Sequence, residues 1–140
     1  MGKDFDFKSQ ICTDRVQSER LLALGLKKET ADCCYYYYDS EYLIAFAEDA
    51  KYPSDISAWS LHRLLSLLPK YIRVRKESFG RFKWTTLELT IDAEFVVWYR
   101  EGIDNSEVDE NFYAEDIYTS LCDCIEWLIK EGHFPKEYLV

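Results

Sequence analysis

The side chains with the widest chemical reach in this sequence are five cysteines and two histidines. Cys33 and Cys34 are adjacent within ADCCYYYYDS, residues 31–40, while Cys122 and Cys124 are one residue apart. Four thiolates suit one tetrahedral zinc, but these spacings oppose it. Neighbours on a strand point to opposite faces, and helix positions two apart differ by about 200° around the axis. Neither pair is the Cys-x-x-Cys knuckle of a structural zinc site, and an odd count argues against a closed disulfide framework. Buried free thiols are the expectation. A nucleophilic cysteine would need His62 or His133 beside a thiol of depressed pKa, and no such signature surrounds any cysteine. His62 falls on a helix flank, and His133 follows Gly132, where a cation suits a helix C-terminus. Glycine-rich phosphate loops and His-Glu-x-x-His pairs are missing, and the acidic stretch 101–111 does not match a calcium loop. The sequence thus predicts no catalytic residue, metal or cofactor.

Charge is the next source of chemistry. The chain carries −9 overall, yet residues 70–84 hold Lys70, Arg73, Arg75, Lys76, Arg81 and Lys83 against Glu77 alone, a local +5 that leaves −14 on the remainder. Strand alternation puts Tyr71, Arg73 and Arg75 on one face, with Arg81 and Lys83 joining them across a hairpin. Cations beside an aromatic ring are the minimum for gripping phosphate and stacking a base. The acidic total disfavours that reading, since it offers a polyanion no steering, and pairing with Glu88, Glu94 or the acidic loop is the expected fate of these cations. An acidic chain could also mimic a nucleic acid and block a basic groove. The leading expectation is a different one. Trp59, Arg63 and Trp127 fall away from the apolar stripes of their helices, and tryptophan and arginine dominate protein-binding hot spots. These three residues predict a non-catalytic protein-interaction module with an unidentified protein partner.

The elements that position these residues follow from punctuation. Thr13 is placed to cap a first helix with Val16, Leu21, Leu22 and Leu24, stopped by Gly25. Cys33–Tyr38, a turn at Asp39-Ser40-Glu41 and the run YLIAFA predict a hairpin. Ser57 is placed to cap a second helix whose Leu61, Leu64, Leu65 and Leu68 recur at helical spacing before Pro69. KYIRVRK alternates as a strand, and ESFG is a turn. In the next strand the apolar set changes parity near Thr85-Thr86, which predicts a bulge or a strand buried on both sides. FVVWYR completes a three-stranded meander, and 101–111 reads as a solvated loop. The last helix, from about Ala114 to Glu131, carries Ile117, Leu121, Cys124, Ile125 and Leu128 on one stripe and ends at Gly132.

The fold class expected is α+β: one domain, a mostly antiparallel sheet of about four to five strands in two hairpin or meander groups, packed with three helices. No apolar run approaches the roughly 20 residues of a membrane span, and no leader pattern is visible, so a soluble, cytoplasmic protein without membrane contact is expected. The stretches QSERLLALGLKKETAD, ISAWSLHRLLSLLP and DIYTSLCDCIEWLIKEGHFPKEYLV resemble a group of small proteins common in Bacteroides-type bacteria and their phages and mobile elements. The resemblance runs from Cys12 to Val140 and is most specific at the C-terminus. It implies a bacterial or phage-associated cytoplasmic origin and carries no activity with it.

Overall fold

Two tight hairpins organise the chain. The computed structural model describes residues 9–49, 55–101 and 109–140. Strand β1 (Cys33–Tyr38) pairs antiparallel with β2 (Glu41–Phe46) through Asp39-Ser40, both left-handed at φ 51° and 68°. That conformation matches the right-handed twist of the flanking strands, and aspartate tolerates it better than most residues. A third strand, β3 (Ile56–Ala58), pairs with the other edge of β1, giving the order β2-β1-β3. The second hairpin joins β4 (Tyr71–Ser78) to β5 (Arg81–Ile91) through Phe79-Gly80, at φ 52° and 74°. β6 (Val97–Arg100) and β7 (Asp109–Phe112) extend it into a sheet ordered β4-β5-β6-β7.

Three helices accompany the sheets. α1 (Arg15–Ala23) is capped not by Thr13 but by Asp14, whose carboxylate accepts from Gln17 N at 2.7 Å while the Gln17 side chain accepts from Asp14 N at 2.9 Å. This reciprocal box satisfies two orphan amides at once. Thr13 is buried instead, its hydroxyl 2.7 Å from that of Ser18 and accepting from Trp59 N at 3.0 Å. α2 (Leu61–Leu67) starts at Ser60, whose hydroxyl accepts from Arg63 N at 3.1 Å, and the expected cap Ser57 lies within β3. α3 (Ile117–Lys130), capped by Asp116, buries Leu121, Cys122, Cys124, Ile125 and Leu128 along its apolar stripe. Gly132, at φ 74°, ends it by letting His133 N donate to Leu128 O at 2.8 Å, a reversal that a Cβ would strain.

One apolar cluster joins Leu21 of α1, Leu64 and Leu67 of α2, Ile72 and Leu87 of the second hairpin, Val97 and Tyr99 of β6, and the α3 stripe. The fold is therefore α+β and single-domain, as expected, with seven strands in two antiparallel sheets among the described residues where about four to five in two groups were expected. The surplus is β3, where the second helix was expected to begin at Ser57, and β7, three of whose four residues fall in the stretch 101–111 expected as a solvated loop; residues 102–108 of that loop lie outside the described residues.

Candidate functional site

The register of β4 on β5 decides which side chains share a surface. Tyr71 pairs with Glu88, Arg73 with Thr86, Arg75 with Trp84 and Glu77 with Phe82, in one unbroken ladder. Cross-strand partners lie on the same face of a sheet. The outer face of the hairpin is therefore Tyr71, Arg73 and Arg75 with Phe82 and Trp84. Ile72, Val74, Thr85 and Leu87 face inward, and all four are buried or half-buried. This corrects two expectations. Arg81 and Lys83 pair with Ser78 and Lys76 and belong to the other face, so they do not join Arg73 and Arg75. The parity change near Thr85-Thr86 needs no bulge either, because Phe82 and Trp84 simply face away from the core.

The outer face is built as a ladder of cations and rings. The Arg73 guanidinium lies 5.3 Å from the centre of the Trp84 ring, and that of Arg75 lies 3.5 Å from the centre of Phe82. Each arginine leans onto the ring diagonal to it, one pair nearer the turn, as twisted strands allow. Phe82 and Trp84 keep 57% and 59% of their surface exposed, and Tyr71 is exposed beside them. A guanidinium stacked on a ring keeps its N–H edge available for an anion. Arg20 pairs with Asp123 and Glu126, and among the described residues neither Glu88 nor Glu94 takes up a hairpin cation. The expected neutralisation of this face by those two carboxylates does not occur.

From Arg81 to Leu87, β5 pairs with β4 alone, and β6 joins it only from Glu88 onward. Toward its turn the hairpin is thus a two-stranded arm, while its base, with Ile72 and Leu87, is packed into the core. Its turn residue Phe79 is fully exposed. Beyond the arm the outer face continues to Arg100, whose guanidinium lies 5.6 Å from the centre of the Trp98 ring and whose Nε is buried with no hydrogen-bond partner among the described residues. The Trp98 indole donates to Asp92 at 3.2 Å, and this bond, with the backbone amides of Val96 and Glu94, holds the Asp92 carboxyl below its ordinary range.

The expected protein-binding set does not assemble. Trp59 is 0% exposed, its indole donating to Thr30 Oγ1 at 3.0 Å. Placing it opposite the leucines on a helical wheel fails because the helix begins two residues later. Trp127 is half-buried, its ring centre 5.7 Å from that of Phe112 and 5.6 Å from that of His133. Arg63 alone is exposed, in an open cleft of 680 Å³ with Lys27, Glu29 and Glu137. Trp127 has different company. With Arg73, Val74, Arg75 and Trp84 it lines an open 480 Å³ cleft that also takes in Glu110, Glu131 and His133. One residue of the protein-binding set thus meets two of the nucleic-acid set.

Comparison with known proteins finds no matching family model, curated protein or solved structure. All five cysteines are buried. Burial pushes the Cys33 and Cys122 thiols up to about 12, and those of Cys12 and Cys124 also upward. A thiol held protonated is a poor nucleophile and a poor metal ligand at neutral pH. Cys12 Sγ instead lies 3.5 Å from the hydroxyl of Tyr35, which donates to Thr13 O at 2.8 Å. Among the described residues no group of three histidine, cysteine, aspartate or glutamate side chains converges on a point where a metal could sit. Phe82 and Trp84 are the residues that the sequence reading left out. The signal for them was the Phe-Gly turn: a two-residue loop pairs odd-numbered residues of β4 with even-numbered residues of β5.

Proposed function

We propose that the protein is a non-catalytic binding module whose working surface is the outer face of the β4–β5 arm, and that its ligand is a single-stranded nucleic acid. The observation carrying this reading is the pair of arginines stacked on exposed rings, Arg73 on Trp84 and Arg75 on Phe82. Phosphates take the guanidinium edges while bases stack on Tyr71, Phe82 or Trp84, a mode that tolerates any sequence because every base has a π-face. The net charge of −9 is screened beyond about 8 Å at physiological ionic strength, so it lowers affinity without forbidding contact at the outer face of the hairpin.

Fluorescence anisotropy of a labelled oligothymidylate, titrated at several salt concentrations, tests the reading. Two neutralised phosphates predict a slope of log K on log salt of about −1.4. Arg73→Glu with Arg75→Glu abolishes binding, and Trp84→Ala weakens it about 5- to 150-fold through the lost stack, about 1–3 kcal/mol. Binding that ignores all three substitutions, or no binding at low salt, defeats the proposal.

A second reading rests on Phe79, fully exposed at the tip and held at φ 52°. An apolar ring presented this way suits a protein pocket with an acidic rim. In that case the oligonucleotide does not bind, and the arm substitutions disrupt a protein complex instead.

A further inference from the structure

The four outer edges of the two sheets differ in how they are guarded. Strands protect an exposed edge with charge, proline, a bulge or shortness. β4 carries Arg73, Arg75 and Lys76; β7 has four residues, among them Asp109 and Glu110; β3 has only three. β2 lacks every such device. Its six residues, EYLIAF, hold one charge, at the first position, and pair with β1 without a bulge, while no described strand pairs with the other edge. Along one face of β2, Tyr42, Ile44 and Phe46 remain 42%, 44% and 68% exposed. Tyr37 of β1 continues this apolar face, its ring centre 5.1 Å from that of Tyr42.

We propose that β2 pairs antiparallel with β2 of a second copy about a two-fold axis at Ile44. A two-fold perpendicular to the sheet keeps like faces together only when residues of equal parity pair, and the register centred on Ile44 does so. It sets Ile44 against Ile44 and each Tyr42 against Phe46 of the other copy. The two Glu41 carboxylates then lie at opposite ends, about 20 Å apart by strand rise, too far to oppose each other in physiological salt. The strand is therefore complementary to itself in register, and the Arg15 guanidinium of α1 lies 4.3 Å from the centre of the Tyr42 ring at one end of the apolar face. With aromatic side chains presenting about 150–250 Å² each, the three exposed residues offer on the order of 300 Å² of side-chain surface per copy. That is well short of the roughly 800 Å² per partner of a stable interface, so the dimer is weak and forms across the micromolar range.

Sedimentation velocity over a concentration series, at low and high sodium chloride, reads this directly. A dimer that grows with concentration is expected. Because two copies at −9 repel, added salt strengthens it, the opposite of its effect on nucleic-acid binding. Ile44→Lys, on the exposed face, should remain monomeric throughout with an unchanged circular dichroism spectrum. Hydrogen exchange on the wild-type chain gives a test free of folding defects: amides of Tyr42–Phe46 should gain protection as concentration rises. A monomer at every concentration, a dimer that survives Ile44→Lys, or protection elsewhere would overturn the proposal. The arm is untouched by these substitutions, so the two surfaces fail or succeed separately.

Discussion

Trp59 and Trp84 should respond to truncation in opposite ways, and the contrast tests the assignment of core and surface together. Trp59 is fully enclosed and its indole N–H is satisfied by Thr30, so Trp59→Ala removes a large ring from a packed interior and costs about 3–5 kcal/mol. A domain of this size has roughly 5–15 kcal/mol in all. At about 3–5 °C per kcal/mol, the melting temperature falls on the order of 10–20 °C. Thr30→Val isolates the polar part: it strands the indole donor in the core at about 1–3 kcal/mol while conserving volume. Trp84→Ala removes a ring that is more than half exposed and one cation–π contact, and costs about 0.5–1 kcal/mol. Urea denaturation followed by far-ultraviolet circular dichroism gives the three values on one scale. Oligonucleotide binding supplies the complement, weakened in Trp84→Ala and retained in Trp59→Ala below its melting point. A Trp59→Ala protein within about 0.5 kcal/mol of wild type would refute the burial of this residue and restore it as a docking anchor.

Cys122 stays protonated in the fold up to about 12, against 9.0 for an ordinary thiol, so above pH 9 the unfolded chain binds fewer protons than the native one. Its contribution to stability is complete below about pH 9 and lost as pH rises to about 12; Cys122→Ala should flatten that part of a urea-midpoint profile. Native-state thiol labelling at neutral pH should be slow for Cys122 and Cys124 and complete in denaturant, and rapid native modification of either would contradict their enclosure. Asp14→Ala should cost about 1 kcal/mol in chemical denaturation by removing the reciprocal cap of α1, whereas a neutral result would place the start of that helix elsewhere.

What the sequence reveals here depends on whether a signal is local. The stripe of α3 and the tyrosine-rich hairpin are legible because periodicity and turn chemistry agree within a few residues. The α+β class follows from the same elements. β7 is not legible: DENF has neither alternation nor strand propensity, and it is extended because β6 offers a free edge. Thr13 has the residue type of a helix cap but is drawn into the core by Ser18, Trp59 and Tyr35, while Asp14 next to it takes the role. Trp59 lies before the helix whose phase was extended to it, so the wheel did not apply. Of the candidate site, Tyr71, Arg73 and Arg75 were visible as one strand face. Their true neighbours required register, which a two-residue turn fixes and composition does not.

The arm carries +5 and the remainder of the chain −14, which makes the molecule an electric dipole with a lever at its positive end. If the arm binds a polyanion as proposed, the opposite charges would favour contact at residues 70–84 over the rest of the chain within about a Debye length. Charge removed from the body would speed association but also admit misoriented collisions. The acidity that opposes binding overall would thus act as a filter on the direction of approach, leaving the arm as the point of entry.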